Sequence, residues 1–372
     1  MNKEYDLIKY RKDILDTKSK SFCGAKWYNA TTWLGSGTTA SCHHPPAHKI
    51  PLHEIAADPS AIHNTQHKKA MRKMMQRGER PRECEYCWKV EDMKDEAVSD
   101  RVFKSIIYSN EDLKKAHEAD FNDNTLLKTF EIAFDRTCNL ACSYCNSSFS
   151  TTWAKDIKKH GPYQNMVSDG AAAFQHDGAW ADPYGKKEEN PYVTAFWDWW
   201  EDGLSESLEE LRVTGGEPLM SDQVWKLFDW FENNPSDMRF AVNSNLIAKE
   251  SIVDRLIEKS KGVKKFHLYT SCEATGKQAE YIRDGLDYEL WTNNITRFIK
   301  EGNYEGINIM MTINSLCLFS ITDFLDDVFK LKELTKSKTP VFSVNLLRFP
   351  SFQSPLALPL SLIHISEPTR PY

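Results

Sequence analysis

From residue 125 onward, apolar segments alternate with helical segments, and this alternation restricts the possible folds more than any other feature. Six segments rich in β-branched or aromatic residues predict strands: Thr129–Phe134, Leu211–Thr214, Arg239–Asn243, Lys265–Thr270, Ile307–Ile313 and Val341–Leu347. Helical patterns lie between them: Ser221–Asn233, Ala248–Lys259, Tyr288–Glu301 and Thr322–Leu334. Such repetition predicts an α/β fold with a parallel sheet, whose functional residues follow the carboxyl ends of the strands.

The nine cysteines are concentrated early in the chain, where seven of them precede residue 146 in two groups. Met1–Leu15 is rich in Lys, Asp and Arg and lacks the apolar core of a secretory signal. No segment approaches the roughly 18 consecutive apolar residues of a membrane span, and the net charge of −6 argues against wholesale nucleic-acid binding. We therefore expect a cytoplasmic protein whose clustered cysteines bind metal rather than form disulfides.

The second cysteine group directly follows the first predicted strand. Cys138, Cys142 and Cys145 have the spacing C-x3-C-x2-C. Three thiolates on one tight loop can bind three irons of a [4Fe–4S] cluster and leave the fourth iron open to an outside ligand. The alternative is a structural zinc site that a distant Cys or His completes.

The same loop, with Tyr144 before its third cysteine, resembles the C-x3-C-x-aromatic-C signature of the radical SAM superfamily. The resemblance implies a partial (β/α)6 barrel, with S-adenosylmethionine (SAM) bound to the open iron of the cluster. It implies reductive cleavage of SAM to a 5′-deoxyadenosyl radical, which abstracts hydrogen from substrate. A low-potential donor such as flavodoxin or ferredoxin would supply the electron, and Tyr144 would lie against the adenine.

A second motif follows the second strand. Thr214 precedes Gly215, Gly216, Glu217 and Pro218, which resemble the GGEP motif of the same superfamily. Its glycines let the backbone approach a ligand, and Glu217 can accept hydrogen bonds from the methionine ammonium. A plain strand–helix turn would require the same glycines for steric reasons.

Weaker candidates follow the next strands. We expect Ser244, in Asn243-Ser244-Asn245, to contact the ribose, and we expect Ser271 to line the same site. Arg283 is a candidate clamp for the methionine carboxylate, because a guanidinium pairs with a carboxylate in bidentate fashion. No residue is predicted as a catalytic acid or base.

The first cysteine group comprises Cys23, Cys42, Cys84 and Cys87, and its last two members form a C-x2-C-Trp sequence. Four thiolates complete the ligand set of zinc or of an iron–sulfur cluster. The pattern resembles the twitch and SPASM auxiliary-cluster domains of radical SAM enzymes, which favours a second cluster. His43 and His44 adjoin Cys42 and are substitute ligands in this interpretation.

Two further expectations concern this N-terminal region. Asn64–Arg77 predicts a helix, and the basic run His67–Arg82 is interpreted as its solvated face. The other N-terminal histidines, including His63, are expected to be solvated. Cys272 and Cys317 are expected to be buried thiols rather than ligands.

These patterns predict three segments. Residues 1–105 form a Cys-rich auxiliary-cluster domain and 125–350 form the radical SAM core. Leu360–Arg370 (LSLIHISEPTR) resembles the translation of a transposase adapter used in sequencing-library preparation. We therefore expect residues 360–372 to be an artefact and the native C-terminus to be missing.

The resemblance suggests a peptide or protein substrate. The alternatives are radical modification of a nucleoside or small metabolite, or a non-catalytic interaction protein with two zinc sites. Metal and sulfide analysis separates these classes, because two clusters require about eight irons per chain and one requires about four.

Overall fold

The computed structural model describes residues 6–94, 97–166, 170–184, 188–335 and 339–359. The expected artefact at 360–372 lies outside these ranges. The strands found within them are β1 (Asn29–Trp33), β2 (Thr38–Ala40), β3 (His48–Lys49), β4 (Thr129–Ala133), β5 (Ala141–Cys142), β6 (Glu210–Thr214), β7 (Arg239–Ser244), β8 (Lys265–Ser271), β9 (Arg283–Asp284), β10 (Gly306–Ile313) and β11 (Val341–Leu346).

The α-helices of the same ranges vary from single turns to four turns. They are α1 (Leu7–Tyr10), α2 (Ala25–Tyr28), α3 (Leu52–Ala57), α4 (Gln66–Gln76), α5 (Glu85–Met93), α6 (Asp100–Ser105), α7 (Asn110–Glu118), α8 (Thr151–His160), α9 (Pro191–Trp199), α10 (Ser205–Ser207), α11 (Asp222–Asn233), α12 (Glu250–Ser260), α13 (Gly276–Ile282), α14 (Tyr288–Glu301) and α15 (Ile321–Glu333). Within the described part of the chain, none of these helices combines the length and the apolar character needed to cross a bilayer.

The chain divides into two compact units. The first comprises Met1–Ile132 with Lys186–Leu211, and the second comprises Ala133–Gly185 with Arg212–Tyr372. The first unit thus includes the aromatic helix α9, which lies far along the sequence from the cysteines of that unit. The predicted domain limits, 1–105 and 125–350, stay predictions.

The parallel sheet of the second unit contains β11, β10, β8, β7 and β6 in that order. Strand β7 pairs with β8, β8 with β10, and β10 with β11, all in parallel register. The six strands predicted from the sequence are therefore confirmed within one or two residues, and the molecule has the predicted mixed α/β fold. Closure of the sheet into a partial barrel stays a prediction.

Aromatic side chains join this sheet to its covering helices. Phe228 of α11 packs against Phe240 of β7 and Phe266 of β8, with ring centroids 5.1 and 5.5 Å apart. Phe266 also contacts Phe298 of α14 edge-on, at 6.0 Å. All four rings are fully buried, and each buried aromatic ring contributes a large apolar area. This packing fixes the amino-terminal ends of β7 and β8 against the helices.

The first unit contains more regular structure than the sequence predicted. The sequence predicted one helix in this region, at Asn64–Arg77, whereas α3, α5 and α6 form there as well. A hairpin also forms, in which β1 pairs with β2 and Thr31 lies opposite Ala40. Helices of six to nine residues show too few turns for a clear period and are stabilised chiefly by packing. The turn signal Gly35-Ser36-Gly37, with Gly37 at a φ of 62°, could have identified the hairpin.

Candidate metal centres and cofactor site

The three-cysteine loop connects β4 to α8 and is fixed by the first turn of that helix. The Cys138 N–H donates to Thr151 Oγ1 at 3.1 Å, and the Thr152 hydroxyl donates to the Cys138 carbonyl at 2.7 Å. Trp153 Nε1 donates to the Cys142 carbonyl at 2.9 Å. The loop conformation is therefore set before any metal binds, because its backbone polar groups are satisfied by the helix that follows.

All three thiols of the loop are free and half-buried. Burial raises the pKa of Cys138 to about 11 and that of Cys145 to about 12, which favours the protonated thiols. Bound iron would remove those protons, since a coordinating thiol is deprotonated by its metal.

A short antiparallel pair, β5 with β9, places Arg283 opposite Cys142. The guanidinium Nη1 lies 3.8 Å from the Cys142 Sγ, while Nη2 forms a buried ion pair with Glu273 at 2.7 Å. The Tyr144 hydroxyl donates to the same carboxylate at 3.1 Å. Burial raises the pKa of Tyr144 well above its usual value, which keeps this hydroxyl a donor. A cation and an aromatic ring thus flank the loop.

The Gly215-Gly216 turn lies directly against the backbone that enters the cysteine loop. A Cβ on Gly216 would come within 2.3 Å of the Thr137 carbonyl oxygen, and one on Gly215 within 2.7 Å of the Asp135 carbonyl oxygen. The Glu217 N–H donates to the Thr137 carbonyl at 2.7 Å. Only glycine permits such an approach. The structure therefore brings together the two motifs that the sequence singled out, although more than 70 residues separate them.

The Glu217 carboxylate is buried and accepts three hydrogen bonds. Its donors are the Ser244 hydroxyl at 2.7 Å, the Asn245 N–H at 2.7 Å and the Leu219 N–H at 3.1 Å. Burial raises its pKa, and the hydrogen bonds from Asn245 and Ser244 oppose that rise. The residue thus connects the ends of β6 and β7, a role that the sequence did not indicate.

The structure places the remaining predicted residues as follows. The Ser244 hydroxyl is engaged on both sides, since it donates to Glu217 and accepts from the Leu246 N–H at 3.0 Å. Ser271 ends β8 and is half-buried. Cys272 and Cys317 are fully buried, as expected.

The four cysteines of the first unit line one cavity. Cys23, Cys42, Cys84 and Cys87 surround it together with Lys26. All four thiols are free, and burial raises the pKa values of Cys84 and Cys87 to about 12. Segments spread over more than 60 residues thus contribute to one donor set.

The spacing of the thiols bears on which metal each set fits. A tetrahedral zinc ion, with Zn–S bonds of about 2.3 Å, holds its thiolates only about 3.8 Å apart. Among the described His, Cys, Asp and Glu side chains, only His43, His44 and Asp100 form a group of three whose donor atoms all lie within 4.8 Å of one another. In neither cysteine set do three sulfur atoms lie that close to one another. An iron–sulfur cluster carries its thiolates on separate irons and holds them farther apart than a zinc ion does.

The His43–His44 pair is held by a carboxylate. His44 Nε2 lies 2.6 Å and His43 Nε2 lies 3.3 Å from Asp100 Oδ2. The His44 ring stacks on Tyr86 with centroids 3.9 Å apart. In each histidine the Nε2 atom already has a partner, the Asp100 carboxylate. The prediction that His43 or His44 replaces a thiol as a metal ligand stays a prediction.

Two expectations about this unit are wrong. His63 is fully buried rather than solvated, and Lys68 and Arg72 of α4 are 1% and 0% exposed. The buried face of α4 consists of Lys68, Arg72 and Met75, at positions i, i+4 and i+7. The basic run is therefore in part an interior feature, and composition alone misassigned it.

No known protein-family profile matches the chain, and no curated protein matches it. Among solved structures, it is similar to Streptococcus suis SuiB bound to S-adenosylmethionine, with 15% identity, a TM-score of 0.37 and coverage of 64% of this chain and 44% of that one. It is also similar to SuiB bound to precursor peptide SuiA, with 15% identity, a TM-score of 0.38 and coverage of 77% of this chain and 54% of that one. Native anSMEcpe with bound AdoMet is similar at 16% identity, with a TM-score of 0.34 and coverage of 58% of this chain and 52% of that one. The chain thus spans about half the length of each of these structures.

Proposed function

We propose that the chain is a radical SAM enzyme. The observation that carries the proposal is the contact of the Gly215-Gly216 turn with the backbone of the Cys138–Cys145 loop. Near this contact lie the three thiols and the buried Arg283 guanidinium, whose Nη1 is 3.8 Å from the Cys142 Sγ. The donor set suits a cluster with one open iron, because only three thiols converge there.

The residues of this site have separate tasks. Cys138, Cys142 and Cys145 would hold the [4Fe–4S] cluster. When bound, the cluster and SAM supply a 5′-deoxyadenosyl radical that abstracts hydrogen from substrate.

The remaining residues of the site would bind SAM. Its methionine moiety would contact Gly215, Gly216, Glu217 and Pro218, with Tyr144 against the adenine. Ser244 and Ser271 would line the ribose side. Arg283 would bind the methionine carboxylate while it remains paired with Glu273.

We propose that residues 1–105 form a twitch-like auxiliary domain whose four cysteines hold a second iron–sulfur cluster. The common cavity supports one shared metal site for the four thiols, and the twitch resemblance favours a cluster over a zinc ion.

The substrate class and the location of the protein are further proposals. A peptide or protein substrate follows from the twitch/SPASM resemblance alone, as does a flavodoxin- or ferredoxin-type electron donor. We propose the cytoplasm as the location, because all nine cysteines are free and a reducing compartment keeps them so.

The test is anaerobic reconstitution of the chain with iron and sulfide, followed by reduction in the presence of SAM. Slow formation of 5′-deoxyadenosine is expected without substrate, and Cys142→Ala should abolish it. Cys317→Ala is the matched control, because it removes a buried thiol outside both sets. Equal turnover by Cys142→Ala and the parent chain would refute the proposal.

A further inference from the structure

Positive charge is buried beside the four-cysteine cavity. Lys26 lines the cavity with the four thiols and is 2% exposed. Its ammonium forms an ion pair with Glu83, the residue that precedes Cys84. Because Lys26 follows Cys23 by three residues and lies within α2, the backbone that positions a thiol also positions this cation.

Two more basic side chains, Lys68 and Arg72, are buried near Lys26, and their hydrogen bonds go to neutral groups. The Lys68 ammonium donates to the Thr39 hydroxyl at 2.8 Å and to the Ala40 carbonyl at 3.2 Å. Arg72 Nε donates to the Lys26 carbonyl at 3.0 Å, and its Nη1 donates to Asn64 Oδ1 at 3.0 Å. Arg101 and Lys104 also line the cavity, and Arg101 differs from Lys26 because Glu91 and Asp16 both pair with it.

Burial lowers the pKa of Lys68 well below its usual value, so Lys26 is the buried lysine that carries charge beside the thiols. Among the described residues, Lys26 pairs with Glu83, and the carboxylate that lines the cavity itself is Asp100. A buried charge is costly unless an opposite charge compensates it, and leaving one unpaired costs several kcal/mol. Four thiolates around an iron–sulfur cluster carry net negative charge and would attract the Lys26 ammonium, which lines the same cavity.

We infer that Lys26 is the counter-ion of the cluster held by Cys23, Cys42, Cys84 and Cys87, and that it raises the reduction potential of that cluster. The inference rests on the proposed auxiliary cluster. Reduction adds one electron to a group that is already anionic and breaks no bond. A fixed buried cation stabilises the reduced form more than the oxidised form, and the effect is strong where water is excluded.

The test uses the full chain carrying Cys138→Ala, Cys142→Ala and Cys145→Ala, so that the N-terminal cluster gives the only iron–sulfur signal. The protein is reconstituted anaerobically and titrated with dithionite, and the reduced cluster is counted by electron paramagnetic resonance. We expect Lys26→Gln to lower the ratio of reduced to oxidised cluster at least tenfold at a fixed solution potential, which is about 59 mV for a one-electron couple. Lys26→Arg should keep the parent potential, because it keeps the charge.

Two other variants test the direction of the change in reduction potential and provide a control. Glu83→Gln should raise the potential, since it removes the carboxylate that competes for Lys26. Lys89→Gln removes an equal charge two residues after Cys87, but its side chain is 73% exposed, so the potential should not move. If Lys26→Gln loses its iron, the direction of the Glu83→Gln change decides the question.

The two levels of the proposal fail in different ways. If the chain that lacks the three loop cysteines, with Lys26 and Glu83 intact, binds no iron and sulfide, the auxiliary cluster itself is overturned. A cluster that forms but keeps its potential in both Lys26→Gln and Glu83→Gln overturns only the role of Lys26.

Discussion

The two cysteine groups differ in how far apart their thiols lie in the sequence and in how the nearby cation is paired. The Cys138–Cys145 loop takes its three thiols from eight consecutive residues, and its one flanking cation, Arg283, is fully paired with Glu273. The N-terminal cavity gathers four thiols from Cys23 to Cys87, and the buried Lys26 lines it with them. In the proposed enzyme the loop would leave one iron open, whereas the cavity would supply four thiolates beside the buried Lys26.

The largest expected effect separates the two regions by activity. Cys142→Ala should reduce 5′-deoxyadenosine formation to background, because the loop loses one of only three ligands. Cys84→Ala should lose about four irons per chain yet still cleave SAM without substrate. Iron analysis and chromatography of the nucleoside measure both quantities. Equal loss of SAM cleavage in the two variants would contradict the proposal that only the loop site cleaves SAM.

The second prediction tests the paired cation of the loop. Arg283→Gln leaves the buried Glu273 without its partner and should lower the free energy of unfolding by roughly 3–5 kcal/mol. The double variant Arg283→Gln/Glu273→Gln should recover part of that loss. Denaturant unfolding measures both. A single variant as stable as the parent chain would mean that the loop does not depend on this ion pair.

The third prediction concerns the glycine turn that contacts the loop. Gly216→Ala should lower the free energy of unfolding by about 1–3 kcal/mol through overpacking and should slow SAM cleavage, because its Cβ would collide with the Thr137 carbonyl. Gly78→Ala is the control, since no atom lies within 4 Å of its Cβ and its φ is 79°. Gly78→Ala should lower the free energy of unfolding by about 1 kcal/mol, because alanine is strained in the left-handed backbone conformation. It should leave SAM cleavage unchanged.

The smallest expected effect is the pH dependence contributed by Glu217. Burial raises its pKa above 4.5, so the group adds stability below pH 4.5, and this stability is lost as the pH rises through its folded pKa. Compared with Glu217→Gln, the wild type should therefore gain stability as the pH falls through this window. The gain is about 1.4 kcal/mol for each pH unit that separates the folded pKa from the unfolded one.

An exposed carboxylate provides the opposite case. Lys261 lowers the pKa of Glu258, so this group adds stability at neutral pH and loses it as the pH falls below 4.5. Compared with Glu258→Gln, the wild type should therefore lose stability as the pH falls. Compared with Glu217→Gln, it should gain stability over the same range. Urea unfolding across the acidic range measures both differences. Parallel trends in the two comparisons would contradict the burial of Glu217.

The sequence predicted the parts of the loop site that are encoded locally. The strands, the cysteine spacing and the glycine turn each follow from a few neighbouring residues. The contact of Gly216 with Thr137 was also accessible in outline, because parallel strands end at the same edge. The ion pair of Arg283 with Glu273 was not, since guanidinium partners are chosen by tertiary packing.

The interior of the N-terminal unit escaped prediction for a different reason. Sequence patterns identify a buried helix face by its apolar residues, and the buried face of α4 contains two cations with Met75. Lys68 and Arg72 stand four residues apart, which is the spacing of one face, but nothing local distinguishes them from solvated charges. His63 was misassigned in the same way.

The account depends most directly on the open corner of the cluster in the Cys138–Cys145 loop. Electron paramagnetic resonance of the reduced, reconstituted chain with and without SAM tests it. We predict a [4Fe–4S] signal that changes when SAM is added to the parent chain and does not change in Cys142→Ala. A signal that SAM leaves untouched in the parent chain, or the absence of any cluster, would contradict the account.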